Sequence, residues 1–81
     1  MFVIRDEYGS RIKGGAYESY DLACRVAHFV RKLHGFEIFV VDTCTGRATS
    51  EVHYSNLDLD LWACSEAKRL FAGDYESRMI D

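Results

Sequence analysis

The stretch from Ser19 to Val41 constrains the fold more than any other part of the chain: it specifies an amphipathic helix, its stop, and the most apolar strand in the sequence. Leu22, Val26, Phe29, Val30 and Leu33 fall at i, i+4, i+7, i+8 and i+11, which is one stripe of a helical period, and the spacing predicts that this stripe faces a core. Ser19 is the expected N-cap, because its hydroxyl can accept from a free N–H of the first turn, and Asp21 adds negative charge at the positive end of the helix dipole. Arg31, Lys32 and His34 place cations at the opposite end, and Gly35 can take the left-handed conformation that closes a helix. Phe36-Glu37-Ile38-Phe39-Val40-Val41 then reads as a central strand, with Phe36, Ile38 and Val40 on one sheet face.

The flanking segments supply a sheet for this helix to cover. Phe2 to Arg5 reads as a strand, residues 6–10 carry turn chemistry, and Arg11-Ile12-Lys13 returns as a short second strand. Gly14-Gly15 lets the chain bend toward the helix, and Tyr17 is placed to pack beside its first turn. Beyond a turn-rich segment at 42–47, Ala48, Ser50, Val52 and Tyr54 alternate with Thr49, Glu51 and His53, which predicts a fourth strand. Ser55 or Asn56 can cap a second helix that has Asp58 and Asp60 in its first turn and Lys68 and Arg69 in its last, before Gly73. Leu59, Ala63, Ala67, Leu70 and Phe71 form its expected core stripe, whereas Leu57, Leu61 and Cys64 point elsewhere. Residues 74–81 have too little pattern to assign.

Residues 2–35 and 39–73 therefore repeat one order: hydrophobic strand, Asp-headed turn with Gly, short strand, capped helix, Gly. The expected fold is α+β, with a ββα-ββα order and an antiparallel four-stranded sheet carrying two helices packed on one face. At 81 residues and 48% apolar content the chain suits a single compact domain, 1–81, with a real but small core. No apolar run approaches the roughly 20 residues of a membrane span, and Phe2-Val3-Ile4-Arg5-Asp6 is unlike a signal peptide. A cytoplasmic location with no membrane partner is the expectation, for a monomer or a small homo-oligomer.

Charge is distributed unevenly. Residues 1–35 hold six Lys or Arg against four acids, and residues 36–81 hold four against nine, within a net charge of −3. A basic side and an acidic side follow. Arg25, Arg31 and Lys32, read as the exposed side of the first helix, can be joined by Arg5, Arg11 and Lys13 into a phosphate-facing patch, with Phe39 or Tyr8 to stack. Against nucleic-acid binding stands a sequence pI near 5.5, where the usual footprint is basic. The acidic half offers a different surface: Asp58, Asp60 and Glu66 surround Trp62, and Asp74 and Glu76 follow. An aromatic beside acids suits a basic protein partner.

Motifs for chemistry are weak. Cys24 and His28 are an i, i+4 pair, but no second close pair completes a metal site, and Cys24, Cys44 and Cys64 are too few and too scattered for a disulfide framework. The segment from Gly9 to Gly15 lacks the order of a phosphate loop. A Cys, His and Asp trio has to be assembled by assumption, and acids in a first helical turn are ordinarily there for the dipole. The sequence thus reads as a non-enzymatic interaction module with no cofactor and no metal. A small nucleic-acid-binding domain is the alternative.

The start at Met1-Phe2-Val3-Ile4, the compact ββα order and the acids concentrated toward the C-terminal end resemble the small α/β proteins by which bacteriophages disable host defences, anti-CRISPR proteins in particular. The resemblance implies a stoichiometric inhibitor that binds a host CRISPR effector complex, at the basic surface where target DNA enters. The basic first half departs from a full mimic of DNA charge.

Overall fold

The structure, a computed structural model, describes residues 1–71 and 79–80. In chain order the elements are β1 (Phe2–Asp6), β2 (Arg11–Tyr17), α1 (Tyr20–His34), β3 (Ile38–Asp42), β4 (Arg47–Ala48), α2 (Leu57–Leu70) and β5 (Met79–Ile80). The five strands form one sheet in the order β4-β3-β1-β2-β5, and every pair is antiparallel. β1 lies at the centre because it is apolar enough to be covered between two neighbours.

Alternation along β1 and β3 sorts their side chains onto two faces. Ile4, Ile38 and Val40 join Ile12 of β2 against Ala23, Val26, Ala27 and Val30 of α1 and Ala63, Ala67 and Leu70 of α2, in one hydrophobic cluster. Val3, Arg5, Phe39 and Val41 take the other face, where Val3 pairs with Val41 and Arg5 with Phe39. Fully buried alanines on both helices let α1 and α2 pack closely against each other.

The caps of α1 form as its sequence implies. Ser19 Oγ accepts from Leu22 N at 3.3 Å, and Gly35 closes the helix at φ 71° with its N–H donating to Arg31 O at 2.9 Å. A side chain at position 35 would meet no neighbour, so Gly35→Ala isolates the cost of the left-handed backbone. That substitution is expected to lower stability by about 1 kcal/mol, measured as a shift of the urea midpoint at unchanged m-value.

Several expectations are corrected. The buried stripe of α1 runs through Ala23, Val26, Ala27 and Val30, and Leu33 is 42% exposed. Counting only large apolar residues overlooks the alanines that the helix–helix contact requires. β2 continues to Tyr17, and Gly14, at φ 81°, lies inside it, where the β1–β2 register shifts from Val3↔Ala16 to Arg5↔Arg11. Among the described residues the sheet has five strands, not four, and the expected strand over 48–54 is only Arg47–Ala48. Past Thr49, the N–H of Val40 is taken at 3.1 Å by the Glu51 carboxylate, in place of a ladder carbonyl. Residues 49–56 therefore leave the sheet as an irregular strap. With β5 following α2, a description as two ββα halves does not cover the sheet.

Candidate functional site

The strap is fastened to α1 and α2 by a polar node, and this node absorbs residues that the sequence assigned to binding surfaces. Arg25 is 4% exposed. Its Nε donates to Asp21 Oδ2 at 3.0 Å, and its Nη1 donates to Asp60 Oδ1 at 2.9 Å and to the Tyr54 carbonyl at 2.5 Å. Asp60 also meets His53 Nε2 at 2.9 Å and accepts from Asn56 N at 3.1 Å, while the Asn56 side chain caps α2 at Leu59 N. The His53 hydrogen bond, with those from Asn56 and Arg25, holds the Asp60 carboxyl down to about 2, although partial burial opposes it.

His28 lies flat on His53, with ring centroids 4.3 Å apart, and Phe29 meets both rings edge-on. Burial lowers the His28 pKa, and the facing His53 and the cations Lys32 and Arg31 lower it further, against a smaller opposing pull from Asp60. Beside the stacked pair is an open pocket of about 140 Å³ lined by Cys24, His28, Arg31, Glu51, Val52 and His53. Arg31 spans its rim, pairing with Glu51 at 2.5 Å and donating to the Ile38 carbonyl at 2.7 Å.

The His53–Asp60 contact has the form of a base and its orienting acid, which raises the question of a nucleophile. Cys24 is the candidate, yet it is 2% exposed, and no hydrogen bond joins it to either histidine among the described residues. The described residues also contain no group of three or more His, Cys, Asp or Glu able to hold a metal ion. The node anchors the strap and the start of α2 onto α1.

A pH dependence follows. Because the His28 pKa is lowered on folding, the unfolded chain takes up this proton first, and stability falls as pH drops below about 6.5. The Asp60 contribution has the other window: it is complete above the ordinary carboxylate pKa and is lost only as pH falls toward about 2. Urea midpoints measured from pH 7 to pH 5 are expected to decline, with a flatter profile for His28→Gln.

The proposed contacts divide sharply. Asp60 is turned inward onto Arg25 and His53. Glu66 accepts from the Tyr17 hydroxyl at 3.0 Å and is held by both nitrogens of the Arg69 fork, so it too is engaged within the fold. Its pKa is lowered chiefly by Arg69, and burial raises that of the Tyr17 phenol. Asp58 is exposed, and Trp62 is 40% exposed while its ring meets Tyr17 edge-on at 6.0 Å. Asp74 and Glu76 lie outside the described residues.

The basic set is corrected as well. Arg25 is not on the solvent face, Arg31 is committed to Glu51, and of these three only Lys32 is exposed and makes no ion pair among the described residues. A phosphate-facing surface on α1 is therefore dismantled by the fold's own acids.

Sequence reasoning passed over the largest feature of α2. Leu57 is 75% exposed and Leu61, one turn on, 60%, which with Trp62 gives α2 an outward apolar ridge beside Asp58, and Tyr54, in the strap just before the helix, is 73% exposed. The signal was present in the residues that did not fit the core stripe. No protein-family model, curated protein or solved structure matches the chain.

Proposed function

We propose that this protein works by binding another protein through the outward face of α2. The observation that carries this reading is the α2 ridge of Leu57, Leu61 and Trp62, because small folded domains rarely leave several large apolar side chains together in water without a use. Leu57 and Leu61 stand one turn apart, the spacing by which a helix enters an apolar groove. Asp58 lies exposed between them, and the half of the chain that supplies this helix is the acidic half. The partner is therefore a protein whose apolar groove is rimmed by basic residues. Asp60 and Glu66 support the ridge from within and are not contacts.

A nucleic-acid-binding complex has such a basic rim, and the resemblance to phage inhibitors names one kind. In this reading the chain binds a CRISPR effector complex and blocks target DNA. The test is a binding measurement against purified effector complexes, with and without target DNA. Saturable binding that target DNA displaces, and that Asp58→Lys with Leu61→Ser abolishes, supports the inhibitor reading. Binding that ignores those substitutions removes α2 from it.

A further inference from the structure

The sheet face opposite α1 and α2 holds an arrangement unrelated to the α2 ridge. Three strands bring Phe39, Arg5 and Arg11 into one row: Phe39 of β3 is directly opposite Arg5 of β1, which is directly opposite Arg11 of β2. Directly opposed residues of antiparallel strands point to the same face, so the two guanidinium groups and the ring share a surface about 10 Å across. Phe39 is 41% exposed there, although it sits in the most apolar strand of the protein.

Two features of this row lack a reason within the fold. Like charges directly across a ladder are destabilising, and neither arginine has a carboxylate partner among the described residues. Arg5 spends one nitrogen on the Gly9 carbonyl, at 2.6 Å, and the Nε of Arg11 is buried with no hydrogen-bond partner. The orphaned N–H is a cost the fold carries, and an anion lying between the two arginines would relieve their repulsion. Of the acids at this end of the sheet, Asp6 is occupied by the N–H groups of Tyr8 and Ser10, and Glu7 and Glu37 are exposed and make no ion pair among the described residues. Tyr8, 85% exposed in the turn that Arg5 holds through Gly9, adds a second aromatic beside the row.

We propose that this face, opposite α1 and α2, binds single-stranded nucleic acid, with Phe39 stacking on a base and Arg5 and Arg11 meeting the phosphates that flank it. A ring flanked by cations distinguishes this ligand from a simple anion, which needs no stacking surface, and from duplex DNA, whose bases are already stacked. The site is modest in charge and works without the basic composition of dedicated nucleic-acid binders.

The test is fluorescence anisotropy of a short labelled oligo(dT) with the whole protein at low salt, with a duplex of the same length alongside. The single strand is expected to bind more tightly than the duplex. Phe39→Ala is expected to weaken binding about 5- to 100-fold and Phe39→Trp to retain it. Arg5→Gln with Arg11→Gln is expected to reduce the slope of log K against log salt by about 0.7 per arginine. Glu37→Gln tightens binding, and Leu61→Ser, on the ridge, leaves it unchanged. Amide shifts of the unsubstituted protein on titration with oligo(dT) should map to β1, β2 and β3, which frees the result from any folding defect in the variants. Absence of binding, equal binding of the duplex, or shifts confined to the helices overturns the proposal.

Discussion

Arg25→Leu is expected to lower the thermal midpoint by more than about 10 °C, more than any other single charge removal among the described residues. The substitution keeps an aliphatic stem against α1 but strips Asp60 and the Tyr54 carbonyl of their shared donor. Asp60 keeps His53 and the Asn56 N–H but loses its guanidinium partner, and removing one member of a largely buried pair costs much more than the net worth of the pair. Asp21→Asn makes the contrast. Its side chain is 45% exposed against 19% for Asp60, so water takes over much of the lost contact, and under about 1 kcal/mol is expected. Differential scanning calorimetry of both variants separates the two cases. Equal, small shifts would mean that the strap does not depend on the node.

That node shows where sequence reading stops. The caps of α1 are local, four residues or fewer from donor to acceptor, and Ser19 and Gly35 could be read directly. The cap of α2 could be narrowed to Ser55 or Asn56, of which the structure uses Asn56, and its Ala63, Ala67 and Leu70 stripe is legible for the same reason. Arg25 looks solvated by local rules, which reach the half-exposed Asp21 four residues away but not Asp60, thirty-five residues away. The alternation at 48–54 has a genuine period of two, but the Glu51 carboxylate fills the ladder position at Val40 N, and period alone carries no information about which acceptor wins. A two-residue strand such as β5 falls below any pattern. The row of Phe39, Arg5 and Arg11 is invisible until the register is known, although each residue was singled out for its chemistry.

The second large effect concerns recognition. Leu57→Ser combined with Leu61→Ser is expected to weaken partner binding by about 100-fold or more while changing folding stability by less than about 1 kcal/mol. The asymmetry follows from exposure: both side chains are already in water in the free protein, so folding gains little from them, whereas a partner's groove would remove that apolar area from solvent. Trp62→Ala is a poorer probe, because its ring packs on Tyr17, whose hydroxyl in turn holds Glu66. Its loss disturbs the fold and the ridge together. Unfolding curves and affinities measured on the same preparations distinguish the two variants.

The most direct test of the α2 reading is site-specific photo-crosslinking in cells, with a photoreactive residue at position 61 and, as the control, at position 47 on the short edge strand. The account predicts one discrete heterologous adduct from position 61, lost with Asp58→Lys, and none from position 47. Equal adducts from both positions, or an adduct from position 61 that contains only a second copy of this chain, would contradict it.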